Sequence, residues 1–174
     1  MVQEDFNTGM AVLEVAFSLP ILRLAYAVRP VPPGAGEVPR DHDPRGRALV
    51  ADGTALVGGR VVPRPAPALP PGEPGFGTVA VEHLEAGDVR VRTRSSRPGL
   101  LVYGDSWYPG WHAEVDGAEV PVYKADLFAK AVEVPSGEHA VRFVFVPNGV
   151  TPGAWIAGGT LLAMLAAAWI LRRR

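Results

Sequence analysis

The sequence predicts a mostly β protein, an antiparallel β-sandwich domain followed by one C-terminal transmembrane α-helix. Gly and Pro number 20 and 18 of the 174 residues, which favours turns and short strands over a helical bundle. Between residues 76 and 146, alternating apolar and polar runs recur with a turn signal about every 8–12 residues, as in sandwiches and barrels. An uncharged apolar stretch follows this region.

That stretch, residues 153–171, predicts the transmembrane helix. Its 19 residues carry no charge and would span about 28 Å as a helix, close to the ~30 Å hydrocarbon core of a bilayer. Trp155 and Trp169 lie near its ends, where indole rings favour the membrane interface. The basic tail at residues 172–174 predicts a cytoplasmic C-terminus and an extracytoplasmic β-domain. The alternative is a buried core helix of a soluble protein.

Small residues recur along one face of the predicted helix. Gly159, Ala163 and Ala167 are spaced four residues apart, and such a stripe lets another helix approach closely. We therefore expect the lipid bilayer as a partner, together with other transmembrane helices of the same or a partner protein.

Residues 1–74 form the first predicted segment. We expect a strand around residues 21–28, a short helix over 44–52 with Pro44 at its start, and an extended connector with six prolines over 63–74. The connector is interpreted as a plain linker, with a recognition motif as the alternative. Residues 10–28 are apolar but interrupted by Glu14, Pro20 and Arg23, which disfavours a signal sequence or second span.

Export of the domain therefore has no evident signal in this sequence. One explanation is that the chain is the tail of a longer membrane protein with earlier helices. The other is tail anchoring with the domain in the cytoplasm, against the charge rule.

Residues 75–150 form the predicted sandwich core. Strands are expected over 76–84 and over 88–95, where Arg90, Arg92 and Arg94 share one face. That face is interpreted as solvated, with an anion site as the alternative. Asp116 and Gly117 between two alternating runs predict a hairpin turn, and a second turn is expected at residues 135–138, around Gly137.

Aromatic side chains are densest at Trp107, Tyr108 and Trp111, with Pro109 and Gly110 forming a turn between them. Exposed rings of this kind can stack on the apolar face of a sugar, so the three are candidate glycan-binding residues. The alternative is that the tryptophans fill the sandwich core.

Several functional classes are disfavoured. The chain has no cysteine, which excludes disulfides and thiol catalysis. Its net charge of −1 gives no electrostatic footprint for nucleic acid. The four histidines lack metal-ligand spacing, and no phosphate loop or nucleophile elbow is present. We predict no catalytic residue, metal or cofactor, and treat the acidic residues near the aromatic cluster as surface groups rather than a hydrolase pair.

Residues between 99 and 153 match, in order and spacing, a known sequence pattern. The pattern begins with tyrosine-proline-glycine-tryptophan and continues with valine-aspartate-glycine and then a pair of strands. It ends in a glycine at the start of a membrane helix. The matching residues are Tyr108, Pro109, Gly110, Trp111, Val115, Asp116, Gly117, Phe128, Ala131, Val132, Val134, Pro135, Gly137, His139, Val141, Phe143, Pro147 and Gly153. In this the sequence resembles the C-terminal region of the bacterial YfhO family of polytopic membrane proteins. Residues 18–20 with Arg23 resemble an upstream strand of that family, whereas Asp126 and Phe145 stand where asparagine and tyrosine are common.

The resemblance implies a role at the bacterial inner membrane. The family is similar to glycosyltransferases that use lipid-linked sugars in cell-envelope glycosylation, and its catalytic carboxylates belong to upstream loops that this sequence does not contain. The chain is therefore expected to be an accessory, non-catalytic part, with envelope glycan or lipid-linked sugar as partners. The alternatives are a single-pass anchored interaction module without a role in sugar transfer, and a remnant without function.

Overall fold

A computed structural model describes residues 2–5, 10–13, 20–70 and 75–147, and residues 158–160, 162, 164, 169 and 172 of the C-terminal stretch. The chain is mostly β, and its two larger sheets are consistent with a β-sandwich. The first seven strands are β1 (Val2–Asp5), β2 (Met10–Leu13), β3 (Leu22–Ala25), β4 (Ala27–Val31), β5 (Arg47–Val57), β6 (Arg60–Val62) and β7 (Gly77–Glu85). The next seven are β8 (Asp88–Ser95), β9 (Gly99–Tyr103), β10 (Trp111–Val115), β11 (Ala118–Val120), β12 (Val122–Ala125), β13 (Ala129–Val134) and β14 (Gly137–Phe145).

The five-stranded sheet is antiparallel in the order β11-β10-β14-β8-β7. In β8 the predicted alternation is confirmed, because Val89, Val91 and Thr93 are fully buried while the arginines between them face outward. One face of this sheet is therefore part of the core, and the other carries charge.

The seven-stranded sheet has the order β3-β9-β13-β12-β5-β4, with β6 paired to β5. Its pairs are antiparallel except for β4 with β5. Both faces of this sheet are buried at β9, where all five residues are buried. Leu101 and Tyr103 belong to the cluster that contains residues of both large sheets, whereas Leu100 and Val102 belong to a second cluster that contains residues of the seven-stranded sheet.

The seven-stranded sheet combines strands from both predicted segments. Strands β3 to β6 precede residue 63, and β9, β12 and β13 follow residue 98. The division at residue 74 therefore does not separate two packing units. The short helix predicted over residues 44–52 is wrong, since β5 begins at Arg47. Pairing with β4 on one side and β12 on the other satisfies its backbone groups as a strand.

Two predicted turns are present, and they connect strands in different ways. Asp116 and Gly117 have φ angles of 52° and 80°, which fits the tight hairpin turn between β10 and β11. The turn before Gly137 instead passes from the seven-stranded to the five-stranded sheet. The alternating run that follows Gly117 is interrupted at Pro121, and the strands on either side of it, β11 and β12, lie in different sheets.

The described part of the Pro-rich connector, residues 63–70, lies on the protein rather than apart from it. Ala66 and Leu69 pack against the second hydrophobic cluster, and the amide of Ala66 donates to Asp52 Oδ1 at 2.8 Å. Arg64 Nε donates to the hydroxyl of Tyr123 at 3.0 Å. The connector thus covers part of the seven-stranded sheet.

Only part of the predicted membrane helix is described. Residues 158–160, 162, 164, 169 and 172 have helical backbone, and Gly159 of the small-residue stripe is exposed. Ala163 and Ala167, like most of residues 153–171, lie outside the described residues. Among those that are described, none belongs to a helix long and apolar enough to cross a bilayer.

Candidate functional site

The three candidate glycan-binding rings do not share one exposed face. Trp111, the first residue of β10, is only 7% exposed and belongs to the core. Trp107 is half-buried, packs against that core and donates from Nε1 to the carbonyl of Val122 at 3.2 Å. Tyr108 is 63% exposed and lies beside Phe145, with ring centroids 6.5 Å apart. Burial of Trp111 favours the core role, which leaves Tyr108 as the ring most accessible to a ligand.

A buried lysine lies over the Trp111 ring. Lys130 is fully buried, and its Nζ is 3.6 Å from the Trp111 centroid and 4.6 Å from that of Tyr103. The same Nζ donates to Asp105 Oδ2 at 2.7 Å and to the carbonyl of Ser106 at 3.1 Å. Burial lowers the pKa of Lys130, while the hydrogen bond and charge of Asp105 act to raise it.

This Lys130 cluster is better suited to holding a loop than to chemistry. A lysine with a lowered pKa is a candidate base or nucleophile, but Lys130 is 0% exposed and a substrate has no access to it. Its donors reach Asp105 and Ser106, next to Trp107 and Tyr108. Lys130 therefore fixes the loop that carries the exposed Tyr108.

Gly110 and Asp116, two of the predicted turn residues, have local structural roles. A Cβ added to Gly110, whose φ is 108°, would lie 2.8 Å from both the Phe145 ring and the Val146 carbonyl oxygen. The Asp116 carboxylate accepts the amide of Ala140 at 2.9 Å and lies 2.6 Å from His139 Nδ1. That hydrogen bond is the largest cause of the raised pKa of His139 and the lowered pKa of Asp116.

The arginine face of β8 is paired with acids from neighbouring positions. Arg92 Nε lies 2.8 Å from Glu82 on β7, and Arg94 Nε lies 3.5 Å from Glu138 on β14. Asp88 accepts from Arg90 and Arg142, and the hydrogen bond from Arg142 is the largest cause of its lowered pKa. This pairing favours the solvated face over an anion site.

The structure contains a cavity of about 570 Å³ that the sequence did not predict, and its size is typical of a small-molecule site. Its lining is mainly apolar and includes Ile21, Val38 and Phe128. Three polar residues also line it: Arg23 on β3, His42 in the loop before β5, and Asp126 after β12. We call this the Arg23 pocket.

Asp126 holds the polar end of the Arg23 pocket together. Its Oδ2 accepts from Arg23 Nη2 at 2.5 Å, and its Oδ1 accepts the amide of Leu49 at 3.0 Å. Asp126 and Leu127 have φ angles of 47° and 72°, a left-handed conformation that is uncommon for residues other than glycine. Such strain persists only where surrounding contacts enforce it, and it often occurs at functional sites.

Two side chains of the pocket retain unused polar atoms. Within the described part of the chain, neither Arg23 Nη1 nor either ring nitrogen of His42 has a hydrogen-bond partner, and all three atoms are buried. His42 Nε2 lies 4.0 Å from Asp126 Oδ1, beyond hydrogen-bonding distance. Arg23 and Asp126 are 103 residues apart, and no local motif links them, so short-range sequence patterns do not predict that they meet.

The described residues contain no group of three or more His, Asp or Glu side chains placed to hold a metal ion. Comparisons of the chain with protein-family models, curated proteins and solved structures gave no match.

Proposed function

We propose that this chain is the extracytoplasmic β-domain and membrane anchor of a YfhO-like protein, an accessory and non-catalytic part of a lipid-linked-sugar glycosyltransferase acting in bacterial cell-envelope glycosylation. The observation that carries the proposal is the uncharged stretch of residues 153–171, followed by three arginines, which comes soon after β14 ends at Phe145. A stretch of this length and composition suits a bilayer span.

Exposed apolar side chains in the C-terminal stretch support a lipid environment. Leu162, Met164 and Trp169 are helical and 70%, 66% and 55% exposed. Their exposure to water would be unfavourable, and lipid or neighbouring helices would cover them. In this proposal the C-terminus is cytoplasmic and the β-domain faces outward.

The proposed contact with the acceptor glycan is made by Tyr108, supported by Trp107. Tyr108 is the exposed ring of the aromatic cluster, and the Lys130 cluster behind it fixes the loop. Tyr108→Ala should lower the sugar content of the envelope polymer, whereas Tyr108→Phe, which keeps the ring, should leave it near normal. Equal sugar content in both strains would contradict a stacking role.

An independent β-sandwich is the second candidate. It would be a single-pass anchored interaction module without a role in sugar transfer. The observation that favours it is the hydrophobic cluster shared by the two large sheets, in which residues of this chain alone supply both sides. A domain with its own hydrophobic core can in principle fold alone.

The size of the native product separates the two candidates. The test is to place an epitope tag after Arg174 at the chromosomal locus and to detect the tagged product by blotting the membrane fraction. A band several times larger than 18.5 kDa supports the tail of a polytopic protein and hence the glycosyltransferase proposal. A membrane band near 19 kDa would replace it with the single-pass module.

The orientation can be tested directly because the chain has no cysteine. Phe76, which is 78% exposed on the β-domain, is replaced by cysteine and treated with a membrane-impermeant maleimide in spheroplasts. Labelling before lysis supports an extracytoplasmic domain. A cysteine added after Arg174 serves as the control and should react only after lysis; the reverse pattern would refute the proposed orientation.

A further inference from the structure

The Arg23 pocket combines an apolar chamber with one polar end. Ile21, Val38 and Phe128 are apolar residues of the lining, while Arg23 and His42 are polar ones. Sites for small molecules commonly have this composition, in which apolar surface gives affinity and a few polar groups fix orientation.

The polar end has hydrogen-bonding capacity that the described residues do not use. Arg23 is 7% exposed and the His42 side chain 3%, so water has little access to either. Nη1 of Arg23 and both His42 ring nitrogens have no partner among the described residues. Leaving a buried polar group without a hydrogen bond is unfavourable, and more so for a charged group. A ligand that brings acceptor oxygens to these atoms would recover that cost.

The charges around the pocket favour an anionic head group. Arg23 and Asp126 offset each other at 2.5 Å. Burial is the main cause of the lowered pKa of His42. The charge of Asp126 raises this pKa, whereas the positive charges of Arg23, Arg47 and Arg29 lower it further. Burial disfavours an ion of either sign, but the three arginine charges would oppose a cation and attract an anion.

We propose that the Arg23 pocket binds a small monocarboxylate with an apolar body. The carboxylate would accept hydrogen bonds from Arg23 Nη1 and from a ring N–H of His42. The apolar body would lie against Ile21, Val38 and Phe128. Asp126 acts as a positioning residue, because it orients Arg23 through Nη2 and leaves Nη1 for the ligand.

Binding can be tested with 4-phenylbutyrate as the probe, on the full chain in lipid nanodiscs, by equilibrium dialysis against empty nanodiscs. The matched probes are 4-phenylbutan-1-ol and 4-phenylbutylamine, which keep the apolar body and change the head group. We expect the affinity for the carboxylate to be at least about tenfold higher than for the alcohol or the amine, since hydrogen bonds to charged groups contribute about 1.5–3 kcal/mol. Equal affinity for all three probes, or no binding of the carboxylate at millimolar concentration, would overturn the proposal.

Two variants locate the site without disturbing the core. Val38 is 52% exposed in the lining, so Val38→Trp should block the chamber and abolish binding. Val61 is 53% exposed on β6 and is not part of the lining, so Val61→Trp should bind normally. Unchanged binding to Val38→Trp would place the probe elsewhere and refute the assignment.

A third variant separates a binding role from a structural one. His42→Leu removes two buried nitrogens that lack partners, so the unliganded protein should have a higher thermal midpoint than the parent. The same variant should bind 4-phenylbutyrate about tenfold more weakly or worse. If it instead lowers the midpoint and leaves the affinity unchanged, His42 is a structural residue and the proposed contact is wrong.

Discussion

Replacing Asp105 by asparagine should destabilise the protein more than removing Lys130, the lysine with which it pairs. Lys130 is 0% exposed and its Nζ lies 2.7 Å from Asp105 Oδ2, whereas the Asp105 side chain is 42% exposed. In Asp105→Asn the ammonium stays buried and loses its counter-charge. In Lys130→Met the remaining carboxylate can be hydrated.

The magnitudes follow from this asymmetry. Leaving one charge of a buried pair uncompensated costs about 3–5 kcal/mol. Because Asp105 is 42% exposed, water partly replaces it, and because the Trp111 ring lies 3.6 Å from Nζ, a cation–π contact remains. We expect Asp105→Asn to lower the free energy of unfolding by about 2–3 kcal/mol. Lys130→Met should change it by about 1 kcal/mol or less, since apolar replacement of a buried ion is often near neutral.

Urea denaturation of the full chain in detergent, followed by tryptophan fluorescence, measures these differences. The double variant should be more stable than Asp105→Asn alone, because removing the lysine removes the uncompensated charge. Asp41→Asn is the control: its ion pair with Arg29 is exposed, so its midpoint should stay near that of the parent. An Asp105→Asn variant as stable as the parent, or less damaging than Lys130→Met, would refute the reasoning.

Three further predictions concern packing, pH dependence and the connector. Gly77→Ala should lower the free energy of unfolding by about 1–3 kcal/mol, because the added Cβ would lie 2.4 Å from a carbonyl oxygen of the neighbouring strand. Gly34→Ala is the control: no atom lies within 4 Å of its added Cβ, so the thermal midpoint should not change. The His139–Asp116 hydrogen bond raises one pKa and lowers the other. Its stabilisation is lost as pH rises through the raised pKa of His139 and as pH falls through the lowered pKa of Asp116. The denaturation midpoint of the parent should therefore exceed that of His139→Gln most between about pH 4 and 6.5, and parallel pH curves would contradict this. Tyr123→Phe removes the hydroxyl that accepts a hydrogen bond from Arg64 of the Pro-rich connector. Hydrogen exchange should therefore become faster at the connector amides. Unchanged exchange would mean that this hydrogen bond does not hold the connector in place.

Local signals in the sequence were sufficient for the turn and alternation predictions. Asp116 and Gly117 tolerate positive φ between alternating runs, so the hairpin follows from neighbouring residues alone. The alternation in β8 follows from period-two spacing on a sheet with one buried face. Neither depends on a distant part of the chain.

Local sequence signals did not predict the features that pairing with distant strands decides. Residues 44–52 contain an apolar run compatible with a short helix or a strand, and pairing of β5 with β4 and β12 selected the strand. The break at Pro121 was visible in the sequence, but not that β11 and β12 would join different sheets.

The sequence by itself determined the β class, the hairpin turn and the position of the uncharged C-terminal stretch, because each depends on residue type and short spacing. Only the tertiary structure decided that Trp111 is buried under Lys130. It also brought Arg23 and Asp126 together across 103 residues and placed His42 beside them. The physical reason is that burial and charge pairing depend on which strands become neighbours in space, and strand pairing is non-local.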